Sequence, residues 1–471
     1  MSTPNATTSA SETKPPSGLR LVLRYTGIPV SWLDKRPRLP SRNWLIFLSV
    51  TSSITSYFIY DRRECRRIKQ HYIELVKEQA DSPVDALAWP RKVTVYGAKW
   101  PGDEDYEQAT KYFRRYVKPI LVAAAVDFEL ISGKRFGDVA EHVAENIRKR
   151  RRIELGIDPI PDIAKALPTY KSPEEVAEHT LQGGIVIVGR PTLKEFMAGL
   201  RKGWTDPLDN VDKEEVLACE LESDGHFDET EETSEDPSEL RPKLSMSSVQ
   251  NSPVFSPLQS RLSAMPSKVA SSIPDAMNAP PLAIPPVPPL LLVPFINHIG
   301  ISQIPIMIWE WFNQRRKVRA GAEAGYRLVM NCSRPINYPT EEPKTVFADI
   351  TQTSASQGDL DFDKEVEWWY KSSLSKFTSD IEKARDKYYD NLPAKLATAR
   401  DLARGVREPT KEELNNPPPT EVELRAERMR KELRWRHDVA GWDIIKPQQK
   451  VVWDNRFRDA LRIFIDRNEA L

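Results

Sequence analysis

An apolar strand running directly into a helix is where residue types and spacing come closest to chemistry: Gly183-Gly184-Ile185-Val186-Ile187-Val188-Gly189 is followed by Arg190-Pro191-Thr192-Leu193-Lys194-Glu195. A helix N-terminus at the end of a buried strand offers unpaired N–H groups and the positive end of the helix dipole, which together hold phosphate. Thr192 and Glu195 stand at capping-box spacing. Gly189, Arg190, Pro191 and Thr192 are therefore a degenerate candidate phosphate loop, since Pro191 removes a backbone donor and stiffens the turn.

Other reactive groups are scattered. His71, His142, His179, His226, His298 and His437 form no i, i+4 pair and no HExxH pattern. Cys65, Cys219 and Cys332 are odd in number and far apart, so neither a disulfide framework nor a metal site is readable. No GxSxG or Walker A loop occurs. No catalytic residue, metal or cofactor is expected. The Arg148–Arg152 run reads as a solvated helix end favoured by the macrodipole rather than a lipid contact. Trp368-Trp369, Trp435, Trp442 and Trp453 read as aromatic core. With 68 Lys+Arg against 68 Asp+Glu, the chain lacks the positive excess of a nucleic-acid binder.

Positioning the candidate loop requires a sheet. RKVTVYGA (91–98), VDFELIS (126–132) and GGIVIVG (183–189) are β-rich, and helical sequences lie between and after them. Strands alternating with helices, one of them an unbroken apolar run, predict a parallel sheet buried on both faces. An α/β domain is expected over 91–205.

Upstream, residues 1–17 read as a disordered tail and 18–43 as a basic segment, followed by WLIFLSVTSSITSYFIY (44–60), which carries no charge. As a helix it is roughly 26 Å long, slightly short of a hydrocarbon core of about 30 Å. Trp44, Tyr57 and Tyr60 suit the two interfaces, and Arg42, Arg62, Arg63, Arg66 and Arg67 flank them. Ser49, Thr51, Ser52, Ser53, Thr55 and Ser56 make this predicted transmembrane helix polar enough to expect contacts with other helices, with Ser49, Ser52, Ser53 and Ser56 as the candidates. Lys and Arg are nearly balanced across its ends, so charge does not orient it. Residues 61–90 read as a charged helical connector.

Downstream, 206–278 reads as an acidic and Ser/Pro-rich disordered insert; residues 220–240 hold ten acidic residues and no Lys or Arg. Over 279–471 a Pro-rich segment and a helix-rich C-terminal part are expected to pack on the α/β domain. Ala276 to Trp309 carries no formal charge, but its prolines forbid a continuous helix, so a polyproline segment followed by a helix from about Pro305 is expected instead of a second crossing. The fold class is thus α/β: one N-terminal transmembrane helix, a Rossmann-like parallel-sheet domain, a long disordered insert and a mixed, helix-rich C-terminal part.

The candidate loop resembles the phosphate loop of the diacylglycerol and sphingosine lipid-kinase superfamily, where a strand runs into Gly-Gly-Asp-Gly-Thr and then a helix. Here Arg190-Pro191 replaces Asp-Gly, reversing the charge, and YGAKWPGDE after the first strand does not reproduce their Asn-Pro segment. That resemblance implies a kinase-like fold without kinase activity. Four longer stretches, LPSRNWLIFLSVTSSITSYFIYDRRE (39–64), YVKPILVAAAVDFELISGKRFGDVAEHVAENIRKRR (116–151), GGIVIVGRPTLKEFMAGLRKGW (183–204) and RWRHDVAGWDIIKPQQKVVWDNRFRDALRIFI (434–465), resemble a fungal mitochondrial family. It is the inner-membrane carrier-translocase subunit named for a mass near fifty-four kilodaltons; this chain is 53.8 kDa. The resemblance implies a non-enzymatic, single-pass inner-membrane protein with its N-terminus in the matrix and its bulk in the intermembrane space. Implied partners are a polytopic pore subunit, small intermembrane-space chaperones and carrier-type clients, with no nucleic acid. The alternative is a membrane-tethered lipid- or nucleotide-binding enzyme of the lipid-kinase-like class.

Overall fold

The computed structural model describes residues 41–80, 89–158, 170–209, 212–228, 273–338 and 358–466. The tail at 1–17, most of the basic segment and the Ser/Pro-rich part of the insert lie outside them. The chain comprises two compact units, Met1–Asp61 and Arg62–Leu471.

Helix α1, Arg42–Ala80, contains the whole 44–60 stretch. Trp44, Leu45, Ile46, Phe47 and Leu48 are exposed. The Thr51 hydroxyl donates to the Phe47 carbonyl at 2.9 Å and that of Thr55 to the Thr51 carbonyl at 2.8 Å, so these two turn back on their own helix. Among the described residues no helix is long and apolar enough to cross a membrane. This corrects the expectation of a transmembrane helix at 44–60, and the reason lies in composition: six hydroxyl side chains dilute the apolar residues between Trp44 and Tyr60.

The second unit is built on six strands: β1 (Lys92–Gly97), β2 (Asp127–Ser132), β3 (Ile185–Val188), β4 (Leu290–Val293), β5 (Ser333–Pro335) and β6 (Arg462–Phe464). They lie in the order β2-β1-β3-β4-β6-β5. All neighbours are parallel except the antiparallel β5/β6 edge. The predicted parallel sheet is present, and it extends past residue 205. Leu290–Val293 lies in the Pro-rich segment, which therefore supplies a strand in register with β3 instead of only packing on the domain. Pro288 and Pro289 precede that strand, where the missing N–H groups do not interrupt its ladder.

The further α-helices of six or more residues among those described are α2 (Gln108–Tyr116), α3 (Lys118–Ala123), α4 (Asp138–Glu154), α5 (Pro173–Gly183), α6 (Arg190–Thr205), α7 (Lys213–Glu222), α8 (Ile304–Phe312), α9 (Arg315–Met330), α10 (Phe377–Arg404) and α11 (Glu421–Ile445). Alternate strand residues serve opposite faces. Val93, Val95, Val186, Val188, Leu291 and Val293 pack with α2, α3 and α9. Tyr96, Ile185, Ile187 and Leu290 pack with α4 and α6. Helix approach on both faces depends on glycine: a Cβ at Gly199 of α6 would lie 2.6 Å from the Ala140 carbonyl oxygen, and one at Gly321 of α9 would lie 2.5 Å from Tyr116 Cβ.

Two expectations change. Helix α7 is ordered within the insert: Glu220 pairs with Arg436 at 2.6 Å, and the Leu221 carbonyl accepts from buried Arg428 at 3.1 Å. Among the described residues, Glu220 and Asp224 are thus matched by Arg436 and Arg428 of α11. Trp368 is 89% exposed, whereas Trp442 is buried against Phe136 and Phe377, so the tryptophans do not share one role.

Candidate functional site

From β1 the chain proceeds to β2 on one side, while β3 lies on the other, so the strand order switches between β1 and β3. In open parallel sheets a ligand crevice lies at the carboxyl ends of strands at such a point. The candidate loop is here. The Ala98 N–H donates to Thr192 Oγ1 at 2.9 Å, and that hydroxyl donates to the Val188 carbonyl at 2.6 Å.

The capping box does not form. Gly189, with φ of 80°, is the cap residue of α6, and Thr192 already lies inside the helix. The Glu195 carboxylate instead accepts from the N–H groups of Gly137 and Val139, at 2.9 and 3.0 Å, and so caps α4 from outside. Complete burial pushes the Glu195 carboxyl up to about 8 against the pull of those two donors. Pro191 sits in the first turn of α6, where a helix needs no N–H from it but an anion would.

The crevice is filled by the chain itself. A 3₁₀ turn at Lys364–Trp369 delivers Glu367, whose carboxylate pairs with the Arg190 guanidinium and, at 2.7 Å, with the Lys194 ammonium. Arg190 also donates to the carbonyls of Leu360 and Phe362, at 3.0 and 2.8 Å. Lys194 donates to the carbonyls of Ile445 and Lys446, at 3.2 and 2.9 Å, placing a cation at the negative end of α11. Burial holds the Lys194 ammonium below its ordinary range despite Glu367. Nearby, burial pushes the Asp363 carboxyl up to about 6, opposed by the Phe295 N–H at 3.3 Å. An internal carboxylate thus takes the position between two cations, and the cluster ties α6, α11 and the 3₁₀ turn together.

Two clefts of the second unit lie elsewhere. One of about 490 Å³ is lined by Glu220, Asp224, His226, Arg385, Tyr389 and Arg436. The other, about 460 Å³, is lined by Arg67, His71, Tyr72, Arg319 and Glu323.

Of the remaining candidates, Trp44, Ser49, Ser52, Ser53, Ser56, Tyr57 and Tyr60 are all exposed on α1, as are Arg42, Arg63, Arg66 and Arg67. Arg67 pairs with Glu64 at 2.5 Å. Arg62 instead engages α8: it donates to Gln314 Oε1 and to the Trp311 carbonyl at 3.3 Å, and lies 5.8 Å from the Trp311 ring centroid. Lys194 and Glu367 were missed as functional positions. Lys194 could have been found as one of two charged residues, with Glu195, between apolar Leu193 and Phe196, but Glu367 carries no local signal.

The fold and site define an open parallel α/β protein whose switch point is closed by its own buried ion pairs. The sequence model of the family described as inner membrane protein import complex subunit Tim54 matches residues 21–392, and the chain belongs to this family. It is similar to a mitochondrial import inner membrane translocase subunit of Cryptococcus neoformans, 35% identical over 95% of this chain and 94% of that protein. A Saccharomyces cerevisiae subunit of the same name is 26% identical over 75% of this chain and 88% of its own length. One from Aspergillus oryzae is 40% identical over 37% of this chain and 40% of its own length. The chain is thus a subunit of a mitochondrial inner-membrane import translocase, and it works with protein partners.

Proposed function

We propose that this chain is a non-enzymatic scaffold of the carrier translocase, supporting insertion of polytopic clients by holding a polytopic pore subunit and offering small intermembrane-space chaperones a docking surface. The observation that carries the non-enzymatic part is Glu367 seated between Arg190 and Lys194. A nucleotide phosphate would have to displace a buried carboxylate that the fold uses to join three elements.

The stretch 44–60, too polar to insert as an independent span, is apolar enough to seat among the helices of the pore subunit, with Ser49, Ser52, Ser53 and Ser56 available for interhelical hydrogen bonds. Family resemblance supports a matrix N-terminus and a bulk in the intermembrane space.

Native electrophoresis of mild-detergent extracts tests the scaffold: the chain is expected in a complex of several hundred kilodaltons together with a polytopic subunit. Solitary migration, or ATP-dependent phosphorylation of a lipid by the purified chain, would favour the lipid-kinase-like alternative.

A further inference from the structure

Helix α8 has the sequence IPIMIWEWF, and none of its residues is buried. Ile301 just before it is 87% exposed, Ile308 54% and Trp309 59%, with Ile304, Met307 and Trp311 also exposed. At about 100° per residue, Ile304, Met307, Ile308 and Trp311 share one arc. The single carboxylate, Glu310, is turned away from it and tied to the protein, accepting from Lys317 Nζ at 2.7 Å and contacting His298 Nε2 at 3.2 Å. Its charge therefore does not interrupt the apolar surface.

Charge around the helix is one-sided. Glu310 is the one carboxylate between Ile299 and Ala322, whereas Arg315, Arg316, Lys317 and Arg319 follow α8 directly. Arg62 and Arg115 add to the same end, both donating to Gln314 Oε1, Arg115 at 3.2 Å. Bulky apolar and tryptophan side chains with a cationic border suit a helix lying in a bilayer interface, where the rings sit at headgroup depth and the cations meet anionic lipid. Nine residues span about 14 Å, half of a hydrocarbon core, so α8 lies in the surface plane and does not cross.

We propose that α8 is an interfacial membrane-binding helix that rests on the inner membrane through Ile304, Met307, Ile308 and Trp311 and draws anionic headgroups to the basic border at its C-terminal end. It is a second lipid contact, separate from residues 44–60, and it orients the soluble unit against the membrane.

The test uses the full chain with Cys65, Cys219 and Cys332 replaced by serine and one new cysteine carrying an environment-sensitive fluorophore. Ile308→Cys reports α8, Val422→Cys at an exposed position in the first turn of α11 is the aqueous reference, and Ser52→Cys reports 44–60 independently. Each protein is reconstituted into phosphatidylcholine vesicles with and without cardiolipin. The 308 label is expected to shift to the blue and to be quenched several-fold more than the 422 label by lipids brominated near the headgroup, with a further increase on adding cardiolipin. Arg315→Gln with Arg316→Gln should remove that increase while leaving the quenching in neutral vesicles. A 308 label as water-exposed as the 422 label overturns the proposal. So does shielding that appears only at high protein-to-lipid ratio, which would mean a second copy, or a cardiolipin increase that survives the double substitution. If the 52 label is in lipid and the 308 label in water, only the α8 proposal fails; a 52 label in water counts against the role given to 44–60.

Discussion

Between Arg190 and Lys194 sits Glu367, and all three side chains are almost wholly withdrawn from water. Removing one partner from such a cluster leaves an uncompensated charge, so Glu367→Gln is expected to destabilise the chain by about 3–5 kcal/mol, measured by denaturant unfolding of the full chain in mild detergent. Apolar replacement of the whole cluster, Arg190→Met with Lys194→Met and Glu367→Met, should recover most of that loss, because desolvation of charges disappears with the charges. Failure to recover would mean that the carbonyl contacts of Arg190 and Lys194, not the ion pairs, do the holding. Gly189 to Thr192 was legible in the sequence as a strand-to-helix turn. Its closure was not, because Glu367 lies 177 residues from Arg190, and nothing local in EVEWW announces that its carboxylate faces a turn so far away.

Helix α11 is joined to α4 by His437, whose Nε2 lies 3.2 Å from Asp138 and 3.6 Å from Glu141. The Asp138 carboxylate, then the neighbouring Asp438 carboxylate, raise the His437 imidazole to about 9 despite partial burial. A folded pKa above the unfolded one means the folded state holds the proton more tightly. Its stabilisation is therefore fully present below about 6.5 and is lost as pH rises through about 9. Thermal unfolding of the full chain should fall across that window, by on the order of 2 kcal/mol after allowance for solvent screening, and His437→Gln should flatten the slope. A slope unchanged in the variant would assign the pH dependence to other groups. At the α4/α6 contact, Gly199→Leu is expected to cost several kcal/mol, because its Cβ alone meets the Ala140 backbone at 2.6 Å and overpacking of about 1–3 kcal/mol is added by the rest of the side chain. The β-rich runs, the unbroken apolar run at 185–188 and the helical sequences between and after them made α4, α6, β1, β2 and β3 readable. They did not reveal β4 or β6, since four apolar residues among prolines, or Ile463 and Phe464 after Arg462, carry too few repeats to separate strand from loop.

For the whole molecule, family membership and an exposed apolar stretch on α1 lead to one expectation about assembly. Replacing Ser49, Ser52, Ser53 and Ser56 together by alanine should weaken co-purification with the polytopic subunit several-fold while leaving the fold of the second unit unchanged, as read by proteolysis; equal recovery would exclude hydroxyl-mediated helix contacts. Protease protection of a C-terminal tag in intact, swollen and lysed mitochondria should show cleavage on swelling, as expected for a bulk in the intermembrane space. By itself the sequence determined the parallel α/β character, the polar helix at 44–60, the missing metal and nucleophile patterns and the family resemblance, because each is written in local composition, periodicity or contiguous motif. Tertiary structure alone decided that the Pro-rich segment and the C-terminus enter the sheet, that Glu367 closes the switch point and that α8 stands bare beside a basic border. Those outcomes depend on which distant residues meet, and no local window of the chain encodes a meeting across more than a hundred residues.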